Sequence, residues 1–305
     1  MKAIAIAIWN RPIMLDRLFT SLLDLHGLEG WQLFLRVDPS EQSEAIAGLI
    51  RHRLAGHPVH LIVNQRQLGV FQNPLASMQD AIQAGATKVL YLEDDVEVSA
   101  DSLQFVDLAL EHCASNDAFV AGNLHFSGCS NHAHLDQATA NQIGYSGMAL
   151  CSRFLSSLGL FFTANQFHRF IQPGWQRNPW TLKLRNLMGG KAAGWDYGLS
   201  EQLLRSKGYT VQSLLPRVRH LGLDGTHFSM QDHVKGWNTA GLWGAPTPLH
   251  GLELVGPTDE KLGQLRAFTT MAQQCWSLQA GWLEREIGLQ RIGLTTKNLL
   301  GLTQR

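Results

Sequence analysis

Three acids stand in a row where an apolar strand ends. The stretch KVLYLEDDVEVS, residues 88–99, runs from strand-type residues into Glu93, Asp94 and Asp95, followed by Val96 and Glu97. Neighbouring carboxylates repel, so gathering them calls for a compensating cation or ready access to water. In an extended chain successive side chains alternate, which puts Glu93 and Asp95 on one side and Asp94 on the other. As the strand ends, Asp95 is placed to reach a hard divalent cation. Mg²⁺ and Mn²⁺ favour one or two carboxylates, with water and phosphate oxygens completing the shell. The competing reading is an acidic turn that caps the next helix. Val96 and Val98 count against it, because they keep the segment partly buried. There is no P-loop or GxGxxG pattern, so a phosphate would be held by metal and side chains.

The elements around this stretch alternate. KAIAIAI (2–8) reads as a buried strand, and Pro12 opens a helix whose apolar face is Leu15, Leu18, Phe19, Leu22 and Leu23. WQLFLRVD (31–38) is a second strand ending in an acid, and Pro39, Ser40 and Glu41 cap the helix after it. HPVHLIVN (57–64) is a third strand, residues 71–85 a helix, KVLYL (88–92) a fourth strand, and AFVAGN (118–123) a fifth, after a helix from near Ser99. Strands alternating with helices of this length predict an α/β fold, a parallel, doubly wound sheet with helices on both faces. Ligands of such sheets bind beyond the carboxyl ends of the strands. Asn10 and Arg11, Asp38, and the acid triplet all fall there, which marks that edge as a site. Further on, residues 144–161 read as a strand turning into a helix, 195–209 as a helix with Asp196 near its start, and 210–222 as a returning strand.

A strand ending in EDD after such a βαβαβ half resembles the metal-binding DXD-like motif of the GT-A glycosyltransferases, which use nucleotide-sugar donors. The chain is most similar to the inverting N-acetylglucosaminyltransferase I group, glycosyltransferase family 13, with relatives in family 2. The residues that carry this are AIAIWNRP, EDDVEV, GYSGMAL, GWDYG and LLPRVRHLGLDGTHF, in that order over about residues 2–232. The resemblance implies a mostly parallel Rossmann-like GT-A sheet and a UDP-sugar donor, with GlcNAc suggested. By the same resemblance Asp95 contacts Mn²⁺ (or Mg²⁺), and Glu93 and Asp94 shape the site and contact the donor ribose or sugar. Asp38 accepts the uracil imide hydrogen, and Arg11 is the basic residue near the nucleotide. Asp38 reads equally as the N-cap of its helix, in DPSE, and Arg11 as a solvated first-turn residue.

Inverting transfer needs one carboxylate to take the proton of the acceptor hydroxyl, and the resemblance points to Asp196. A helix N-cap acid is the plainer reading of the same residue. Here the chain departs from the group: one Asp is followed by Tyr197 where the group carries two, so Glu201, one helical turn on, is the fallback base. His220 resembles the C-terminal metal-binding histidine of many GT-A enzymes, and His227, in GTHF, competes for that role. His125, Cys129, His132, His134 and Asp136 offer zinc-type ligands, but at spacings that fit no structural zinc pattern. The aromatic and basic run 167–194 suits sugar stacking, packing over the core, or peripheral membrane contact.

Composition limits the partners. Of 305 residues 45% are apolar, and Lys plus Arg equals Asp plus Glu at 25 each, so no net field favours nucleic acid or anionic lipid. The four cysteines form no CxxC pair, which suits reduced thiols in a reducing compartment. The first apolar stretch is too short for a signal or a membrane span, so the expectation is a cytoplasmic protein. A glycan, lipid-linked or small-molecule hydroxyl acceptor then fits better than a secretory glycoprotein. Residues 1–232 are the expected catalytic domain, with a nucleotide half to about 123, and 233–305 a mostly helical extension. A silent GT-A-like nucleotide-binding or scaffold protein and, further off, a sugar nucleotidyltransferase are the alternatives.

Overall fold

The alternation of Ala and Ile in residues 2–8 fixes how β1 (Lys2–Ile8) is clothed. Ala3 and Ala5 face one side of the sheet, and Ile4, Ile6 and Ile8 face the other, all essentially without solvent exposure. The Ile face takes α1 (Pro12–Leu23), whose Leu15, Leu18, Phe19 and Leu22 recur at helical spacing. Its first turn holds Pro12, where the missing N–H costs nothing. The Ala face leaves room for α3 (Gly69–Gln83), which seats Met78 and Ala81 beside Phe34 and Tyr91. Burying each large side chain contributes about 1.5–3 kcal/mol, so this two-sided cladding is the main stabilising term.

This computed structural model describes residues 1–125, 147–152, 155–175, 195–215, 217–221, 249 and 251–255. The early strands and helices form as the sequence predicts: β2 (Trp31–Val37), α2 (Ser43–Arg53), β3 (Val59–Val63), β4 (Lys88–Glu93), α4 (Ser102–Cys113) and β6 (Phe119–Asn123). β5 (Val96–Val98) lies between β4 and α4. Later come β7 (Met148–Ser152), β8 (Leu160–Thr163), α5 (Asp196–Arg205), β9 (Tyr209–Ser213), β10 (Val218–His220) and β11 (Glu253–Val255).

Among the described residues nine strands make one sheet in the order β11-β7-β9-β6-β8-β4-β1-β2-β3. β1 to β4 are mutually parallel, with Ile8 opposite Val37, Val37 opposite Val63, and Ala7 opposite Glu93. Their carboxyl ends therefore share one edge. β8 runs antiparallel between β4 and β6, so the sheet is mixed, though mostly parallel. Gly122 in β6 makes this insertion fit: a Cβ there would lie 2.0 Å from the Phe161 ring.

Two expectations change. Residues 155–161 do not continue β7 as a helix; they lead into β8, because Leu160, Phe161 and Phe162 are buried on both faces as a central strand requires. The segment 210–222 is two strands, β9 in the main sheet and β10 outside it. β10 pairs antiparallel with β5, setting His220 opposite Val96, Arg219 opposite Glu97 and Val218 opposite Val98. From the expected C-terminal extension, β11 joins the sheet beside β7. Apart from Leu249, Gly251 and Leu252, the rest of that extension, and the zinc-type residues after His125, lie outside the described residues. Among the described residues no helix is long and apolar enough to cross a membrane.

Candidate active site

The acid triplet closes β4 at the carboxyl edge, and its neighbours are drawn from two other segments. The Trp9 backbone N–H, just past β1, donates to Asp94 Oδ2 at 2.9 Å. The Arg11 guanidinium pairs with Asp95 Oδ2 and stands 3.5 Å from Asp94 Oδ1. His220 Nε2, delivered by the β5–β10 ribbon, is 3.2 Å from Asp95 Oδ2, and the Leu221 N–H donates to the Asp95 carbonyl at 2.6 Å. Arg11 is thus no solvated first-turn residue. Asp94 and Asp95 are buried, at 6% and 4% exposure, which rules out the solvated-turn reading.

The ribbon itself is pinned from both sides. Arg217 and Asp101, both fully buried, pair through Nη2 at 2.9 Å and Nε at 3.0 Å, and the guanidinium lies 4.5 Å from the Phe105 ring centroid. On the outer side Glu97 accepts from Arg17 Nε at 2.9 Å and from Arg219 Nε at 2.9 Å. These contacts hold β10 in the register that brings His220 to Asp95.

Burial sorts the three carboxyls. Glu93 is pushed well above the usual range by desolvation first, then by the charges of Asp95, Asp94 and Asp196. Asp94 is raised to about 6, again mainly by burial and then by Asp95. Burial would raise Asp95 too, but the His220 hydrogen bond and charge, with Arg11, hold it below the ordinary value. Asp95 is therefore the carboxyl of the three that ionises most readily.

A prediction follows for Asp94. Its folded-state pKa is raised, so the folded protein binds the proton more tightly than the unfolded chain, and stability falls as pH rises through about 4 to 6. In chelator, Asp94→Asn is expected to be more stable than wild type above pH 6, by up to about 3 kcal/mol, with the difference gone near pH 4. Denaturant titrations across this range check it; a wild-type advantage at pH 8 would contradict it.

The residues fit a divalent cation. Asp95 Oδ1 is buried without a hydrogen-bond partner, an unused carboxylate oxygen beside the His220 ring. Among the described residues no group of three or more His, Cys, Asp and Glu is arranged as a cage. A hard cation with one or two protein ligands, completed by phosphate and water, needs none.

Asp38, after β2, is buried and committed to the loop between β3 and α3. It accepts from Asn64 Nδ2 at 2.6 Å and the Leu68 N–H at 3.0 Å on Oδ1, and from the Gly69 N–H at 2.6 Å on Oδ2. It is not the cap of α2, whose N-cap is Gln42; Ser40 and Ser43 bond each other at that turn. Oδ2 keeps capacity for one more donor.

Asp196 is the first residue of α5, and its charge reaches Glu93. Its place is set by Trp195, buried against Trp175 (centroids 4.5 Å, 15° between planes) and edge-on to Tyr91 at 5.7 Å. Trp175 Nε1 donates to the Phe71 carbonyl at 2.7 Å, which ties this stack to α3. Glu201 lies in the same helix with its side chain outside the described residues, as His227 and residues 176–194 are altogether.

Sequence reasoning missed two neighbours. The Tyr91 hydroxyl is buried without a partner, and burial, then Glu93, Asp94 and Asp95, raise its pKa. Its position two before Glu93 on a strand was the available signal. His125, grouped above with zinc-type ligands, is buried instead near His220, and burial and that charge pull its pKa to about 4.

No protein-family model matches the chain, and no curated protein does. Among solved structures it is similar to the mannosyltransferase PcManGT from Pyrobaculum calidifontis in complex with GDP-Man and Mn²⁺, at 10% identity over 71% of this chain and 57% of that one, TM-score 0.42. It is also similar to S. aureus TarS 1-349, at 11% identity over 70% and 58%, TM-score 0.44. In complex with UDP-GlcNAc, that TarS fragment aligns at 12% identity over 74% and 60%, TM-score 0.46. The chain spans less than two thirds of the length of each of these structures.

Proposed function

We propose that the chain is a GT-A-type glycosyltransferase, metal-dependent and inverting. It moves a sugar, with GlcNAc suggested by the motif resemblance, from a UDP-sugar to a hydroxyl acceptor. The observation that carries the reading is Asp95: buried, with one oxygen unpartnered, it faces His220 on the edge that also holds Asp38 and Arg11, with the charge of Asp196 reaching the neighbouring Glu93. A nucleoside diphosphate needs a base acceptor, a cationic cradle and a nearby carboxylate, and the edge supplies all of these.

In this reading the open acceptor capacity of Asp38 Oδ2 takes the uracil imide N–H, and Arg11 pairs with the diphosphate. Asp95 and His220 hold Mn²⁺ or Mg²⁺, with His227 the competing histidine; the ion, when bound, neutralises charge that develops on the leaving diphosphate. Glu93, whose burial favours its neutral form, is suited to donate a hydrogen bond to a ribose or sugar hydroxyl, and Asp94, beside it, to accept one. Asp196 accepts the proton of the acceptor hydroxyl as that oxygen bonds to the anomeric carbon. The bond from that carbon to the diphosphate breaks, its electron pair leaves with UDP, and the configuration inverts. Glu201 is the fallback base. The acceptor is a glycan, a lipid-linked sugar or a small molecule, met in the cytoplasm or at a membrane surface.

The test is UDP binding by calorimetry. Wild type is expected to bind UDP in Mn²⁺, and Asp95→Asn to lose that binding. Equal UDP affinity with and without metal would remove the assignment.

A further inference from the structure

Arg11 stands where a cation would. Its guanidinium pairs with Asp95 and lies 3.5 Å from Asp94 Oδ1, supplying the positive charge that two buried aspartates require. The Asp95 oxygen it occupies is the one that faces His220 Nε2 at 3.2 Å, while Oδ1 has no partner. A dication bound between Asp95 and His220 would share this space with a fixed monocation. At a few ångströms their repulsion far exceeds thermal energy, even with protein screening. Either the arginine moves or the metal stays out.

The side chain is equipped to move. Arg11 precedes Pro12 at the start of α1; its carbonyl accepts from the Leu15 N–H at 2.9 Å, but its side chain makes no capping bond to that helix. Among the described residues its guanidinium pairs with the two aspartates alone. Its side chain is 24% exposed, so one flank opens to solvent. A diphosphate offers what a guanidinium binds best, paired oxygens for two parallel N–H bonds and a double negative charge.

We propose that Arg11 is a latch on the acid pair. In the nucleotide-free protein it neutralises Asp94 and Asp95 and keeps the divalent cation off them; an arriving diphosphate draws the guanidinium away and opens Asp95 to the metal. The cation then binds with the nucleotide or after it, and not before. This rests on the reading of the edge as a nucleoside diphosphate site.

The test compares Mn²⁺ titrations, followed by calorimetry, of chelator-treated wild type, Arg11→Met and Arg11→Gln, each without and with UDP. Without UDP, both variants are expected to bind Mn²⁺ tighter than wild type by on the order of tenfold or more. Adding Asp95→Asn to Arg11→Met is expected to remove the gain, which places the ion at this pair. Wild type is expected to gain Mn²⁺ affinity when UDP is present. Removing the guanidinium leaves buried acids unpaired, so the variants should melt lower in chelator and recover more than wild type on adding Mn²⁺. Variants that melt cooperatively yet bind Mn²⁺ no tighter than wild type would overturn the latch. Wild type alone also decides it: Mn²⁺ bound as tightly without UDP as with it would overturn the ordered binding. Failure of wild type to bind UDP under any condition would sink the nucleotide-sugar reading, and with it the diphosphate trigger. The nucleotide-free comparison of wild type with the variants would still show whether Arg11 excludes the cation.

Discussion

Asp196→Asn is expected to lower donor turnover by about 10²–10⁴-fold, the range a positioned general base contributes. The readout is UDP released from UDP-GlcNAc in Mn²⁺, with water or an added hydroxyl compound as acceptor. UDP binding should be unaffected, since the residue heads α5 and, as the proposed base, would act on the acceptor. The buried stack of Trp175, Trp195 and Tyr91 fixes the backbone just before it, so Asn should sit where Asp sat. That separation of turnover from binding marks a base rather than a helix cap. Full activity in Asp196→Asn, with the loss appearing in Glu201→Gln instead, would move the base to Glu201. Loss of UDP binding in Asp196→Asn would assign the residue to the fold.

The second large effect concerns a pair remote from chemistry. Arg217→Met is expected to cost about 3–5 kcal/mol of stability, because it strands the fully buried Asp101 carboxylate. Replacing both, Arg217→Met with Asp101→Leu, should recover much of the loss, since it removes the unpaired charge. Denaturant unfolding measures both. The double variant is the more informative for function: with β10 no longer pinned through Arg217 to Asp101, His220 loses its fixed approach to Asp95, and metal-dependent UDP binding should weaken even where stability returns. A single-variant cost below about 1 kcal/mol, the value of an exposed pair, would contradict the account.

How much of this was legible in the sequence differs by element. The strands that build the edge were, because KAIAIAI, WQLFLRV and KVLYL are buried on both faces and bounded by turn residues. Asp38, Arg11 and the acids were legible as a group, since parallel strands bring their carboxyl ends together whatever the details. What each one touches was not. Asp38 is held by Asn64, Leu68 and Gly69 rather than by its own helix, a choice made by the return of the β3–α3 loop. β5 and β10 are three-residue strands, too short to show a period, and their pairing joins residues 122 apart at Arg219 and Glu97. β8 was read as helix because SSLGLF, taken alone, suits either; its place between β4 and β6 is decided by the Phe161 ring over Gly122. Tertiary context settled these points, as it does for short apolar runs generally.

The central claim is that Asp95 holds a metal for a nucleoside diphosphate, and one calorimetric series tests it most directly. UDP is titrated into wild type and Asp95→Asn, with Mn²⁺ and with chelator. Wild type is expected to bind UDP in Mn²⁺ and much more weakly in chelator, and Asp95→Asn to bind it weakly in both. Wild type and Asp95→Asn binding UDP alike, with metal making no difference, would contradict it.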